Sequence, residues 1–334
     1  MADRFQVLSL DGGGLKGVFT ASFLAAIEES TGKEVADHFD LIAGTSTGGI
    51  IALGLGLGFR PHQILQFYKE RGHAIFPTQT PLSRIWLNVR WLWTHKYEAK
   101  PLTKALQDYF GDKRLGDSTK RLIIPAFDSV RGEVHLYKTP HHERLRTDYR
   151  EFVRDVALAT ASAPTYFPAA VSDGGVHLVD GGVWANNPSM VALAESLEYL
   201  GQRQDAVALL SIGTTHRTVG STAEQATGGL WAWRRKALEF VMAGQSLAAE
   251  NECFHILGES RFMRVNPMVC DTYALDRMSR ELEGIGRTEA RNRVNEIESM
   301  FLRHMAGPYR PCYVASQSPA GPKASEEATT RDDR

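Results

Sequence analysis

Ser46 stands in Gly44-Thr45-Ser46-Thr47-Gly48, which fits Gly-x-Ser-x-Gly. A serine in this pattern sits on a sharp turn between a strand and a helix, and the flanking glycines let neighbouring backbones pass close to it. The turn points the hydroxyl out of the sheet. It also puts the serine at a helix N-terminus, where free N–H groups and the helix dipole favour developing negative charge. The chemistry this suits is acyl transfer through a nucleophilic serine. The pattern is short, and a glycine-rich turn with an idle serine also fits it. An apolar run before it and a helical run after it favour the nucleophile.

Asp11-Gly12-Gly13-Gly14-Leu15-Lys16-Gly17 is a second candidate. Three successive glycines can turn several backbone N–H groups onto one oxygen, as an oxyanion hole requires. Lys16 would strengthen the positive field there. The same run matches Gly-x-Gly-x-x-Gly at Gly12, Gly14 and Gly17, with Glu34 and Asp37 about where a ribose-binding acid would sit. A nucleotide-binding module using residues 12–17 is therefore a rival reading. The serine turn in the next unit favours the oxyanion hole, because a hydrolase needs both features.

A serine nucleophile needs a base. His135, His177, His216 and His255 lie at or near element ends, and none stands in a context that singles it out. The alternative is Asp180 in Asp180-Gly181-Gly182, which follows a short apolar run and precedes Trp184, Asn186, Asn187 and Pro188. A turn aspartate has the same appearance. From the residues alone both options stand.

The elements that must position these groups follow from periodicity. Phe5 to Leu10 reads as a buried strand and Leu15 to Ser30 as a helix. Phe39 to Ala43 is a second strand, and Gly48 to Leu57 a buried helix. This β-turn-α rhythm predicts an α/β domain of three layers with a mostly parallel central sheet. Further strands are expected at 121–127, 134–137, 176–179 and 206–212. Further helices are expected at 64–71, 153–161, 189–200, 230–255 and 287–305. Residues 1–315 read as one domain. Residues 316–334 hold almost no apolar side chain larger than alanine and read as a disordered tail.

Composition narrows the classes. The 334 residues carry a formal net charge of −1, so no global field draws the chain to a nucleic acid polymer. Cys253, Cys270 and Cys312 show no metal spacing, and a reduced, intracellular protein is the simplest reading. The start lacks a signal peptide's apolar stretch, and the apolar run Leu41 to Phe59 is interrupted by glycines rather than built as a span. Contact with a membrane is therefore expected from its surface. Residues 82–97, with Trp86, Trp91, Trp93 and Tyr97 among Arg84, Arg90 and Lys96, suit either an interfacial contact or a cap over the site.

Asp11 to Gly17, Gly44 to Gly48, Ala161-Ser-Ala-Pro-Thr-Tyr-Phe-Pro168 and Asp180 to Gly182 together resemble the four motifs of the patatin-like phospholipases, in that family's order. The resemblance implies the three-layer patatin-like fold and a Ser-Asp dyad without a catalytic histidine. Carried over by motif, Ser46 is the nucleophile, Asp180 its base, and Gly12, Gly13 and Gly14 the oxyanion hole. Lys16, Gly44, Gly48 and Gly181 support them. It implies a lipid acyl hydrolase acting on membrane phospholipid, with no metal and no cofactor. A carboxylesterase for small soluble esters is the alternative within that class. Arg264-Val-Asn266 and Leu275-Asp-Arg-Met-Ser279 extend the similarity to bacterial patatin-like effectors of anti-phage signalling systems. That implies a cyclic dinucleotide activator, a cytoplasmic location and action at the inner face of the cell membrane. Oligomeric state stays open.

Overall fold

The computed structural model describes residues 4–76, 94–216, 236–269, 273, 275–276 and 279–314. The tail from 316, residues 82–93 of the aromatic segment and the first residues of the helix expected from 230 lie outside them. Among the described residues eight strands form one sheet: β1 (Phe5–Leu10), β2 (Leu41–Gly44), β3 (Arg121–Asp128), β4 (Glu133–Lys138), β5 (Ala170–Val171), β6 (His177–Asp180), β7 (Val207–Ile212) and β8 (Phe262–Val265). The order is β5-β6-β3-β2-β1-β7-β8, and β4 also pairs with β3. From β3 to β8 every pairing is parallel. Antiparallel strands extend the β3 side.

Alternation along the parallel strands builds two cores. Leu8, Leu10, Ile42, Ile124 and Leu210 face one side. There they meet α1 (Gly17–Thr31), α2 (Thr47–Gly56), α3 (Pro61–Ile75), α4 (Ala99–Phe110), α5 (Val153–Ala161) and α9 (Arg280–Met300). Phe5, Val7, Leu41, Ile123 and Leu209 face the other side, against α7 (Ser189–Glu198) and α8 (Lys236–Leu257). A one-turn helix α6 (Gly182–Ala185) lies between Asp180 and α7. Helix, sheet and helix make the expected three layers. Among the described residues no helix is long and apolar enough to cross a membrane.

Some boundaries differ from expectation for identifiable reasons. The last helix starts at Arg280, not Arg287, because Ser279 caps it by accepting from the Glu281 N–H at 3.2 Å. It ends at Met300, five residues short of the expected end. Helix α4 was not expected. Its Pro101 occupies the first turn, where a missing N–H costs nothing.

Candidate active site

The serine turn joins β2 to α2. Ser46 sits at the helix N-cap with φ 54° and ψ −120°, a left-handed-side conformation that non-glycine residues avoid. Holding it costs on the order of 1–3 kcal/mol, and neighbouring contacts impose it. The Ser46 N–H donates to Thr160 Oγ1 at 3.0 Å, and Thr160 in turn donates to the Pro125 carbonyl at 2.6 Å. Thr45 donates through its N–H to the Leu10 carbonyl and through its hydroxyl to the Ala185 carbonyl. A Cβ on Gly44 would overlap the Gly48 carbonyl, and one on Gly48 would overlap the Leu10 carbonyl. Both glycines are there because backbone passes through the space a side chain would need.

Asp180 ends β6, and its backbone N–H donates to the Ser162 carbonyl at 3.0 Å. The Gly182 N–H donates to its Oδ1 at 2.7 Å, and the Ser46 side chain lines the pocket beside its carboxylate. Burial pushes the Asp180 carboxyl up to about 6, while the Ser46 side chain and the Gly182 N–H pull the other way. Gly181 packs so tightly on β3 that a Cβ would overlap the Pro125 carbonyl. The chain therefore brings Ser46 and Asp180 together from two loops far apart in sequence.

The glycine loop lies beside them. Gly12 donates its N–H to the Asn186 carbonyl at 3.0 Å, so that amide is not available to an oxyanion. This corrects the expectation for Gly12. Gly13 and Gly14 keep amides that no backbone carbonyl among the described residues takes up, and both line the pocket. The backbone of Leu275 lies across Gly14, and its carbonyl accepts the Leu15 N–H at 2.7 Å. Lys16 ends the single 3-10 turn Gly14–Lys16 and acts electrostatically on Asp11.

Ser46, Asp180, Gly13 and Gly14 open onto a pocket with about 890 Å³ of empty space, part of it open to solvent. Its walls are apolar: Ile50 from α2, Phe67, Ile75 and Phe76 from the α3 region, Leu102 from α4, and Tyr166 and Phe167. Ala161, Ala163 and Pro164 continue that wall, so the third motif both shapes the pocket and receives the Asp180 N–H through Ser162. All eleven histidines lie among the described residues, and none lines the pocket. Glu34 and Asp37 pair with Arg60 and Lys120.

Several participants were missed in the sequence. Thr160 precedes the third motif by one residue, and no pattern marks a hydroxyl that will cap a strained serine. Met242 on α8 reaches the pocket, and Ser246 accepts from Asn186 Nδ2 at 3.0 Å. The Asn187 N–H donates to Gln245 Oε1 at 3.0 Å. These contacts span about sixty residues and leave no local signature.

Fold and site define a three-layer α/β protein that presents a strained serine and a buried aspartate at one apolar pocket. The chain belongs to the patatin-like phospholipases, whose family model matches residues 8–193. It is 38% identical over 283 residues to a cGAMP-activated phospholipase of Pseudomonas aeruginosa (strain BWHPSA011 / Pa011), covering 82% of this chain and 83% of that one. A cGAMP-activated phospholipase of Vibrio cholerae serotype O1 is 34% identical over 272 residues, covering 74% and 76%. A third, from Escherichia coli (strain TW11681), is 37% identical over 224 residues, covering 63% and 62%.

Proposed function

We propose that this chain hydrolyses carboxylic esters of membrane phospholipids through a Ser46–Asp180 dyad and an acyl-enzyme, and that a cyclic dinucleotide switches it on. The observation that carries the reading is that the strained Ser46 and the buried Asp180 carboxylate line the same end of one apolar pocket, with the Ser46 side chain acting on that carboxylate. Asp180 takes the Ser46 proton as Oγ adds to the acyl carbonyl. The Gly13 and Gly14 amides receive the oxyanion, at helix α2's N-terminal side of the pocket. The tetrahedral adduct expels the glycerol-side alcohol, which leaves with the proton from Asp180. Water then adds to the acyl-serine, Asp180 takes its proton, and Ser46 leaves with that proton as the fatty acid is released. A carboxyl held at about 6 is ionised at neutral pH and remains basic enough to work.

The apolar walls suit an acyl chain better than a small polar ester. Activation by a cyclic dinucleotide is supported by the names of the three relatives. Action at the inner membrane face, with residues 82–97 as a membrane contact, belongs to the same reading.

The test is lipid mass spectrometry on phospholipid vesicles incubated with wild type and Ser46→Ala, with and without a panel of cyclic dinucleotides. Free fatty acid from wild type alone, rising with one dinucleotide, is the expected outcome. Equal release by Ser46→Ala overturns the nucleophile. Strong release unchanged by every dinucleotide overturns the switch. A short p-nitrophenyl ester turned over faster than any vesicle lipid would make the chain a general carboxylesterase.

A further inference from the structure

A buried ion pair fastens the glycine loop from the side away from the pocket. Arg264 on β8 grips Asp11 with both arms, Nη1 to Oδ1 at 2.8 Å and Nη2 to Oδ2 at 2.5 Å. Nη1 also donates to Ser211 Oγ at 2.7 Å, and Nε lies 3.4 Å from the Glu250 carboxylate on α8. The two side chains are only 8% and 5% exposed. Asp11 is the last residue before Gly12, Gly13 and Gly14, so the plane of its carboxylate bears on how the chain leaves β1. A bidentate guanidinium fixes that plane in a way a single point charge does not.

The polar row continues toward the other half of the site. Ser211 and Ser9 both bond the Ser189 hydroxyl, which itself donates to Asn187 Oδ1 at 2.6 Å. Asn187 lies seven residues after Asp180. One hydrogen-bonded chain thus runs from the loop of the oxyanion candidates to the segment of the candidate base. Stability alone does not account for a charge here. The loop already has backbone anchors, from Asp11 N–H to the Ile212 carbonyl and from Gly12 N–H to the Asn186 carbonyl. Buried ion pairs are often no more stabilising than apolar residues of similar volume. What a rigid fork adds is direction.

We propose that Arg264 is a positioning residue for acyl transfer, holding the Gly13 and Gly14 amides on the developing oxyanion through Asp11. The inference rests on the acyl-hydrolase reading above. Arg264 and Asp11 do not line the pocket, so neither touches the acyl chain. Donors of this kind must lie about 3 Å from the oxyanion, and a misplacement of about 1 Å costs on the order of 100-fold in rate.

The experiment uses the full chain, a short p-nitrophenyl ester, and the cyclic dinucleotide giving wild type its highest turnover. Arg264→Lys keeps the charge and loses the fork. The double variant Asp11→Asn with Arg264→Gln removes both charges of the buried pair, leaving only the part-exposed Glu250 without a partner, so folding is protected. Each folded variant should keep KM within about twofold and lose roughly 100-fold in kcat. Fluorophosphonate labelling of Ser46 should slow in parallel, while the acid limb of the pH profile stays where wild type has it. Wild-type kcat in either folded variant, with only a lower melting temperature, overturns the proposal. So does a raised KM at unchanged kcat. Ser46→Ala runs alongside: if it hydrolyses the ester as wild type does, the acyl-hydrolase reading fails, whatever Arg264 does.

Discussion

Asp180 and Glu195 are buried almost equally, at 6% and 4% exposure, yet their surroundings pull their protons in opposite directions. Asp180 faces the Ser46 hydroxyl and the Gly182 amide, and burial pushes its carboxyl up to about 6. Glu195, on α7, accepts Lys138 Nζ at 2.6 Å and the His141 imidazole at 2.9 Å, and these partners hold its carboxyl below the ordinary range. Desolvation opposes the charge at both sites. What differs is whether a cation was buried alongside. Glu195 has its charge compensated and ties α7 to the end of β4. Asp180 has only neutral donors, so its charge is poorly compensated and its affinity for a proton is high. A buried carboxylate set against a hydroxyl is suited to moving protons, and one set against a buried ammonium is suited to staying put.

The sharpest way to break this contrast is to neutralise each carboxylate in place. Asp180→Asn should lower kcat for a short-chain ester by about 10³-fold, since the variant cannot take the serine proton. Glu195→Gln should leave kcat of the folded protein within about threefold of wild type. Steady-state rates normalised to folded protein decide it. If the two variants lose turnover equally, the division between a working and a structural carboxylate is wrong.

Stability should reverse the ranking. Removing the Glu195 charge strands Lys138 beside it, which typically costs about 3–5 kcal/mol. Its depressed folded pKa means this stabilisation is present above the unfolded pKa and is lost as pH falls through the folded one. Asp180 has the opposite sign. Its folded pKa of about 6 exceeds the unfolded value, so stability falls as pH rises between about 4 and 6 and stays lower above that. The ionised carboxylate then costs on the order of 3 kcal/mol at pH 8, and Asp180→Asn should recover part of this. Urea denaturation at pH 8 and pH 4.5 measures both. A destabilised Asp180→Asn at pH 8 would show that the carboxylate is a structural anchor after all.

A smaller and more graded effect is expected in the pH profile. With Asp180 as base, kcat/KM should fall about tenfold per unit below its midpoint near 6 and level off above it. The Glu195→Gln variant should keep that midpoint, because Glu195 does not act on Asp180. A profile flat from pH 5 to pH 8 would remove Asp180 from the proton transfer.

Asp180 could be found in the sequence, and Glu195 could not. Asp180 lies in a glycine-marked turn that repeats a family pattern. Ser46 is framed by glycines whose spacing reports the close backbone crossing at Leu10. Strand β1 and helix α5 were legible to the residue, because their apolar runs are bounded by Asp11 and by the prolines and glycines beyond. The Lys138–Glu195–His141 cluster and the Asp11–Arg264 pair are contacts between residues 54 to 253 apart, and no local pattern encodes a partner at that range. Strand β8 failed for a related reason. It is four residues long with Arg264 inside it, and the distant partners Asp11, Glu250 and Ser211 are what make an arginine acceptable there. Gly12 was over-read because three glycines in a row look alike until one amide is seen bonded to Asn186.

The finest test of the comparison uses a buried hydroxyl that carries no charge. Tyr68 donates to the Thr47 carbonyl at 3.0 Å and accepts from Thr47 Oγ1 at 2.6 Å, one residue from the nucleophile. Burial pushes its phenol above the ordinary range, so it stays neutral at any working pH. Tyr68→Phe keeps the ring that lines the pocket and removes only these two bonds. The Thr47 hydroxyl is left without its acceptor, a loss of about 1 kcal/mol. Turnover should stay within about threefold of wild type, because Tyr68 holds the first turn of α2 and its own proton goes to a carbonyl, not to Ser46. A denaturation midpoint and a kcat on the same preparation settle it. A 10³-fold loss of kcat would place the Tyr68 hydroxyl in the proton path and end the case for Asp180 as the group that alone accepts the Ser46 proton.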